Sequence, residues 1–252
     1  MRAEASRLPL VLAIAAVILQ ISYPLTHGQA RHGVTIAIVL VFAAASAAHA
    51  VLSCGLARGL SIVLLAVCSG YGVEVLGVHT GFPFGHYSYA ATLGPRVFAV
   101  PVVIGAAWAM LAWPAAVVAR RLASSFVARV AVGAWALATW DLFLDPQMVR
   151  DGHWRWRFPS PHLPGVPGVP LTNYVGWLLV SVVISLALQG IARNAGEDRD
   201  GRKDAIPTAL YLWTYLGSII AFIAFLDLGG AALWGALGMG VVAVPLVVRL
   251  VR

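Results

Sequence analysis

The stretch VARVAVGAWALATWDLFLDPQ, Val127 to Gln147, is an apolar run suited to lipid that ends in two carboxylic acids, Asp141 and Asp145. A charge well inside a membrane span costs about 2.5–3.5 kcal/mol on insertion scales, so such residues usually face a bundle interior and carry function. The composition sets the solvent. The 252 residues are 60% hydrophobic and 11% charged, with a mean hydropathy of +0.86. Soluble domains are about half apolar and a quarter charged. The chain is therefore read as an all-α, polytopic membrane helix bundle. Its formal charge of +7 comes without a basic block interleaved with aromatics. That gives no support to nucleic-acid binding. The two cysteines, Cys54 and Cys68, have no CxxC spacing and read as small residues in apolar segments.

A spanning helix needs about 20 apolar residues. Eight segments qualify: Leu8–Leu25, Gly33–Ser53, Leu60–Val78, Phe98–Ala119, Phe126–Leu144, Tyr174–Ala192, Thr208–Leu226 and Ala231–Val248. Together they form one transmembrane domain over 1–252. Asp227 to Gly230 reads as a tight turn between the last two. The first segment follows Arg2 and Arg7, but its length and lack of a cleavage site favour a retained helix over a signal peptide. With the N-terminus inside, 12 of the 17 basic residues fall on the inner side and Arg31, Arg96, Arg150, Arg155 and Arg157 on the outer. That bias predicts N-in and C-in termini, and a multi-pass protein of the cell membrane. The two longest loops, HTGFPFGHYSYAATLGPR and DPQMVRDGHWRWRFPSPHLPGVPGVPLTN, then share one side. NAGEDRDGRKDA lies on the other and reads as a solvated connector.

Asp141 and Asp145, four residues apart, share one helix face. Pro146 is expected to close that helix, because the residue before a proline disfavours helical geometry. Glu74 lies about one turn before HTGFPFG and approaches the same membrane face. Like charges in an apolar pocket disfavour one another, and a carboxylic acid kept protonated at neutral pH is a usable general acid. Pairing with Arg96, Arg150, Arg155 or Arg157 would give the acids a purely structural role instead. Around them stand Phe84, Tyr87, Tyr89, Trp140, Trp154 and Trp156. Their faces can stabilise a cation, or form an interfacial belt. Asn173 reads as the N-cap of the sixth helix, or as a group that orients a carboxylate; Tyr174 follows it. His79, His86, His153 and His162 lack clustered metal-ligand spacing, and no metal is expected.

The order Glu74, HTGFPFGHYSY, DLFLDP, WRW and GVPLTNYVGW resembles the carotenoid biosynthesis membrane proteins. That family includes carotenoid hydratases of the 1′,2′-hydratase and bisanhydrobacterioruberin hydratase type. The resemblance runs from about the third helix to the seventh. It implies water addition across the terminal (1′,2′) double bond of an acyclic end group, a hydro-lyase reaction. No cofactor is expected, and the sequence has no Gly-rich dinucleotide fingerprint. The expected partners are the lipid bilayer, a carotenoid substrate and other enzymes of the same pathway, with no nucleic acid. Chemistry, rather than the resemblance, nominates one of Asp141 or Asp145 as proton donor and Glu74 or the second aspartate as acceptor from water. Two other readings stand beside this. DLFLD is similar to part of the aspartate motifs of intramembrane prenyltransferases, although a second motif on the same side is missing. An apolar-lipid carrier with a proton relay is the other.

Overall fold

The computed structural model describes residues 7–192 and 204–252. Among them, eight helical segments are long and apolar enough to cross a membrane. In chain order the helices are α1 (Leu8–Ser22), α2 (Gly28–Cys54), α3 (Leu56–Thr80), α4 (Val103–Leu122), α5 (Phe126–Ala138), α6 (Asp141–Arg150), α7 (Leu171–Ile191), α8 (Ala205–Ala224) and α9 (Gly229–Val251). A short 3-10 turn, Tyr23–Leu25, extends α1, and α5 with α6 makes up one span. The expected helical bundle is present. Of the inner-side basic residues counted above, Arg2, Arg193, Arg199, Arg202 and Lys203 lie outside the described residues, as does most of NAGEDRDGRKDA.

The central element is α4, where Trp108 to Ala119 are all buried. Small residues recur along it (Gly105, Ala107, Ala109, Ala112, Ala115, Ala116, Ala119), and small residues let helices approach closely in lipid. Pro114 lies within this helix and cannot donate to the carbonyl of Met110. Ser46 of α2 supplies the missing donor, its hydroxyl reaching Met110 O at 2.7 Å. On the far side, Gln189 of α7 donates to Ala116 O at 3.0 Å. Backbone groups freed inside a membrane are satisfied by neighbouring helices in this way.

Several spans start or end a few residues from where the sequence puts them, the second at Gly28 rather than Gly33, and two of these differences have a clear backbone cause. The fourth span begins at Val103, not Phe98. Phe98 and Ala99 have φ of 48° and 66°, left-handed geometry that a right-handed helix excludes. They form the turn of a small hairpin, β2 (Arg96–Val97) with β3 (Val100–Pro101). The fifth span does not close at Pro146. It breaks earlier, at Thr139–Trp140, and resumes as α6, which carries Pro146 inside and runs to Arg150. Pro146 is the sixth of the ten residues of α6 and forfeits the one helical bond that an N–H there would make to the Leu142 carbonyl, a single loss that the helix tolerates. The break makes Asp141 the first residue of a new helix within that span.

The two long loops are paired. Strand β1 (Tyr87–Tyr89) lies antiparallel to β4 (Trp154–Trp156), with Tyr87 opposite Trp156 and Tyr89 opposite Trp154. Side chains alternate along a strand. Tyr87, Tyr89, Trp154 and Trp156 therefore share one face, and Ser88 and Arg155 take the other.

Candidate active site

The YSY–WRW ribbon lies over the ends of α3, α6 and α7, where the three acids sit. Glycines set how close it comes. A Cβ on Gly77 would meet the Tyr87 hydroxyl at 2.8 Å, and one on Gly176 would meet the Pro83 carbonyl at 2.7 Å. On Gly70 it would collide with the Trp108 ring. The small residues thus seat the loops and Trp108 directly against α3 and α7.

Glu74, Asp141, Asp145 and Asn173 are all buried, with exposures of 6%, 0%, 3% and 1%. Glu74 Oε2 accepts from the Tyr87 hydroxyl at 2.5 Å and the Tyr89 hydroxyl at 2.7 Å; Oε1 accepts from Trp108 Nε1 at 3.2 Å. Asp145 Oδ1 accepts from Trp154 Nε1 at 3.0 Å. The Asn173 amide donates to both aspartates, to Asp141 Oδ2 at 2.6 Å and to Asp145 Oδ2. Asp141 Oδ1 is buried without a hydrogen-bond partner. Burial pushes the Tyr87 and Tyr89 hydroxyls well above the ordinary phenol range, and the Glu74 carboxylate beside them adds to the effect. Both stay protonated and donate.

Among the described residues, the arginines expected as partners form no ion pair with the three acids. Arg150 pairs with Asp151 at 3.5 Å, where Arg31 also pairs at 3.2 Å and the Tyr23 hydroxyl donates, and Arg157 lies over the Phe158 ring at 5.1 Å. Arg96 donates to the Tyr89 carbonyl at 3.1 Å. The acids of the site are thus held by phenols, indoles and one amide rather than by cations.

A narrow pocket of about 50 Å³ lies between these groups. Glu74 and Asp145 reach its wall, with Asn173 beside them. Phe84, Tyr87, Tyr89, Trp154 and Trp156 also line it, alongside apolar residues of α2 and α4. The structure does not bring every expected residue to this wall. Asp141 lies behind, joined to the pocket through Asn173. Trp140 faces an adjoining cavity, and Tyr174 lines neither, its hydroxyl buried and unpartnered. Asn173 is not an N-cap: that position is Pro170, and Asn173 sits three residues into α7, where its side chain bridges the two aspartates.

Two aromatic wall residues escaped the sequence reading. Trp108 and Trp177 stack with ring centroids 4.1 Å apart and planes 13° apart. Trp177 follows Asn173 by four residues, so helical spacing placed it on the same face. Trp108 lies in an unbroken apolar run and carries no local signal.

The four singled-out histidines are not assembled. His79 contacts Val75 O at 2.8 Å, His153 contacts Thr92 at 2.7 Å and His162 contacts Leu163 O at 3.0 Å. Among the described residues no group of three or more His, Cys, Asp or Glu is arranged to hold a metal ion. His153 is fully buried, 5.0 Å from the His32 ring. Burial, aided by the charge of His32 and opposed by Asp151, lowers it from 6.5 to about 4. Protonation therefore favours the unfolded chain. Stability is intact above pH 6.5 and declines as pH falls toward 4. Thermal unfolding in detergent across that range is expected to show the decline, and His153→Gln to make it shallower.

Comparison with known proteins agrees with the motif order. A sequence profile of the family described as "Carotenoid biosynthesis protein" matches residues 33–246, from α2 into α9. Bisanhydrobacterioruberin hydratase of Haloarcula japonica is 30% identical over 191 residues, covering 72% of this chain and 56% of that protein. The chain thus spans little more than half the length of that relative. No solved structure matches. The expected resemblance holds, over more of the chain than the motifs alone covered: this multi-pass membrane protein belongs to the carotenoid biosynthesis protein family.

Proposed function

We propose that the chain is a carotenoid hydratase, adding water to the terminal (1′,2′) double bond of an acyclic end group. One observation carries this reading: two buried carboxyl groups, Glu74 and Asp145, reach the same aromatic pocket from different helices. The hydratase name of the Haloarcula relative supports it.

Asp145 donates its proton to the less substituted carbon of the double bond. The electron pair of the π bond forms the new C–H bond and leaves a tertiary cation. The faces of Tyr87, Trp156 and Trp177 stabilise that cation, each by up to about 2 kcal/mol when desolvated. A water molecule bonds to the cationic carbon through oxygen and gives one proton to Glu74. The proton returns to Asp145 through water, so the net change is one water added and no electrons transferred. Asp141, behind Asp145, acts through Asn173 as a positioning residue. The residues needed at each step belong to the chain itself, and the reaction as written needs no cofactor. The polyene comes from the bilayer side, and water from the side of the paired loops. The excess of basic residues supports placing both termini in the cytoplasm and the protein in the cell membrane.

The test is expression in a bacterial host that accumulates lycopene, followed by chromatography and mass spectrometry of the pigments. The expected product is heavier by one water at one or both ends. Well-expressed protein that leaves lycopene, longer acyclic carotenoids and one-end-cyclised carotenoids all unchanged would refute hydration.

A further inference from the structure

A second cavity of about 310 Å³, several times the size of the acid pocket, lies between α1, α2, α6 and α8. The two share a wall. Thr35 and Val39 of α2, and Leu144 and Met148 of α6, line both. Each pair is spaced i, i+4 and so presents one helix face. Helix α6 divides the space: Asp145 fronts the acid pocket, whereas Trp140, Phe143 and Gln147 front the larger cavity. The larger cavity is mostly apolar, and its rim reaches the lipid-facing surface. Ile21 and Leu25 on one side are 52% and 66% exposed; Ile220 and Phe225 on the other are 60% and 53% exposed. Gln20 and Trp213, both in the lining, join α1 to α8 by a hydrogen bond of 2.9 Å.

An acyclic carotenoid is a long rod, and a pocket of about 50 Å³ has room for no more than its reactive tip. The remaining conjugated chain needs an apolar path continuous with that pocket and open to lipid. We infer that the cavity between α1 and α8 is the channel that binds the polyene chain of the substrate, with the reactive end passing between Thr35–Val39 and Leu144–Met148 to reach Asp145. This rests on the hydratase reading for its substrate, but it concerns binding and is tested by binding.

The experiment isolates wild-type protein in detergent from a lycopene-accumulating host and measures bound pigment per protein by absorbance and visible circular dichroism. Ser218→Trp fills the cavity without touching the acid pocket, and Ile220→Trp narrows its exposed mouth. Glu74→Gln serves as the comparison, since it alters only the acid pocket. Wild type and Glu74→Gln are expected to retain pigment, and Ser218→Trp to lose it by about tenfold, a change of ~1.4 kcal/mol in binding. If Ser218→Trp does not fold, Ile220→Trp gives the same reading from a position that tolerates bulk. Equal pigment in the blocked variants, no pigment on the wild type, or phospholipid in its place would overturn the channel. Pigment that binds as expected but is never hydrated would instead overturn the hydratase reading and leave the channel standing.

Discussion

Asp145→Asn is expected to lower hydration by roughly a thousandfold, within the range that a positioned general acid contributes. The amide is nearly isosteric, so Trp154 still finds an acceptor at Oδ1 and the helix keeps its packing. What is lost is the transferable proton, together with the acceptor that Oδ2 offers the Asn173 amide. The neighbouring aspartate gives the contrast. Asp141 is as deeply buried but does not reach the pocket wall, and it meets the site through Asn173 and through Asp145 itself. Asp141→Asn is expected to cost much less, about tenfold, with substrate binding weakened along with turnover. Single-turnover rates of both variants against wild type, with helicity checked by circular dichroism, separate the two aspartates. A larger loss at Asp141 than at Asp145 would reverse their roles.

Glu74→Gln is expected to reduce turnover by a similar hundredfold to thousandfold, by removing the group that takes the water proton. The glutamine oxygen can still accept from Tyr87 and Tyr89, and pigment binding is retained. Tyr89→Phe removes one of three donors to Glu74 and leaves the other two in place. Its expected cost is about 1–3 kcal/mol in stability or positioning, with activity reduced but measurable. Measuring kcat and KM separately is decisive. A base loses kcat, whereas a residue that only shapes the pocket raises KM.

The parts of this molecule that were legible in its sequence are those governed by local physics. Eight spans followed from apolar length, because lipid demands about 20 such residues and little else. The pairing of Asp141 with Asp145 followed from helical spacing, and Asn173 does touch both. The ends of elements were less legible. Pro146 read as a stop but sits inside α6, because the helix had already restarted after the break at Thr139–Trp140. Phe98 read as helix because it is apolar, whereas its backbone lies in a hairpin turn. The pairing of YSY with WRW was illegible for a different reason. Each strand is three residues long, and the partners are more than sixty residues apart, so no local pattern fixes the register. Yet that register puts two tyrosines and two tryptophans on one face above the acids. Trp108 likewise reaches Glu74 only through tertiary packing against Gly70.

Origin of the added atoms is the most direct test of the proposed chemistry. Purified protein in detergent would be given an acyclic carotenoid in deuterium oxide, and separately in heavy-oxygen water. Protonation followed by water capture predicts one deuterium on the carbon beside the new alcohol and heavy oxygen in its hydroxyl group. Deuterium absent from that carbon, or a hydroxyl oxygen drawn from any source but water, would contradict it.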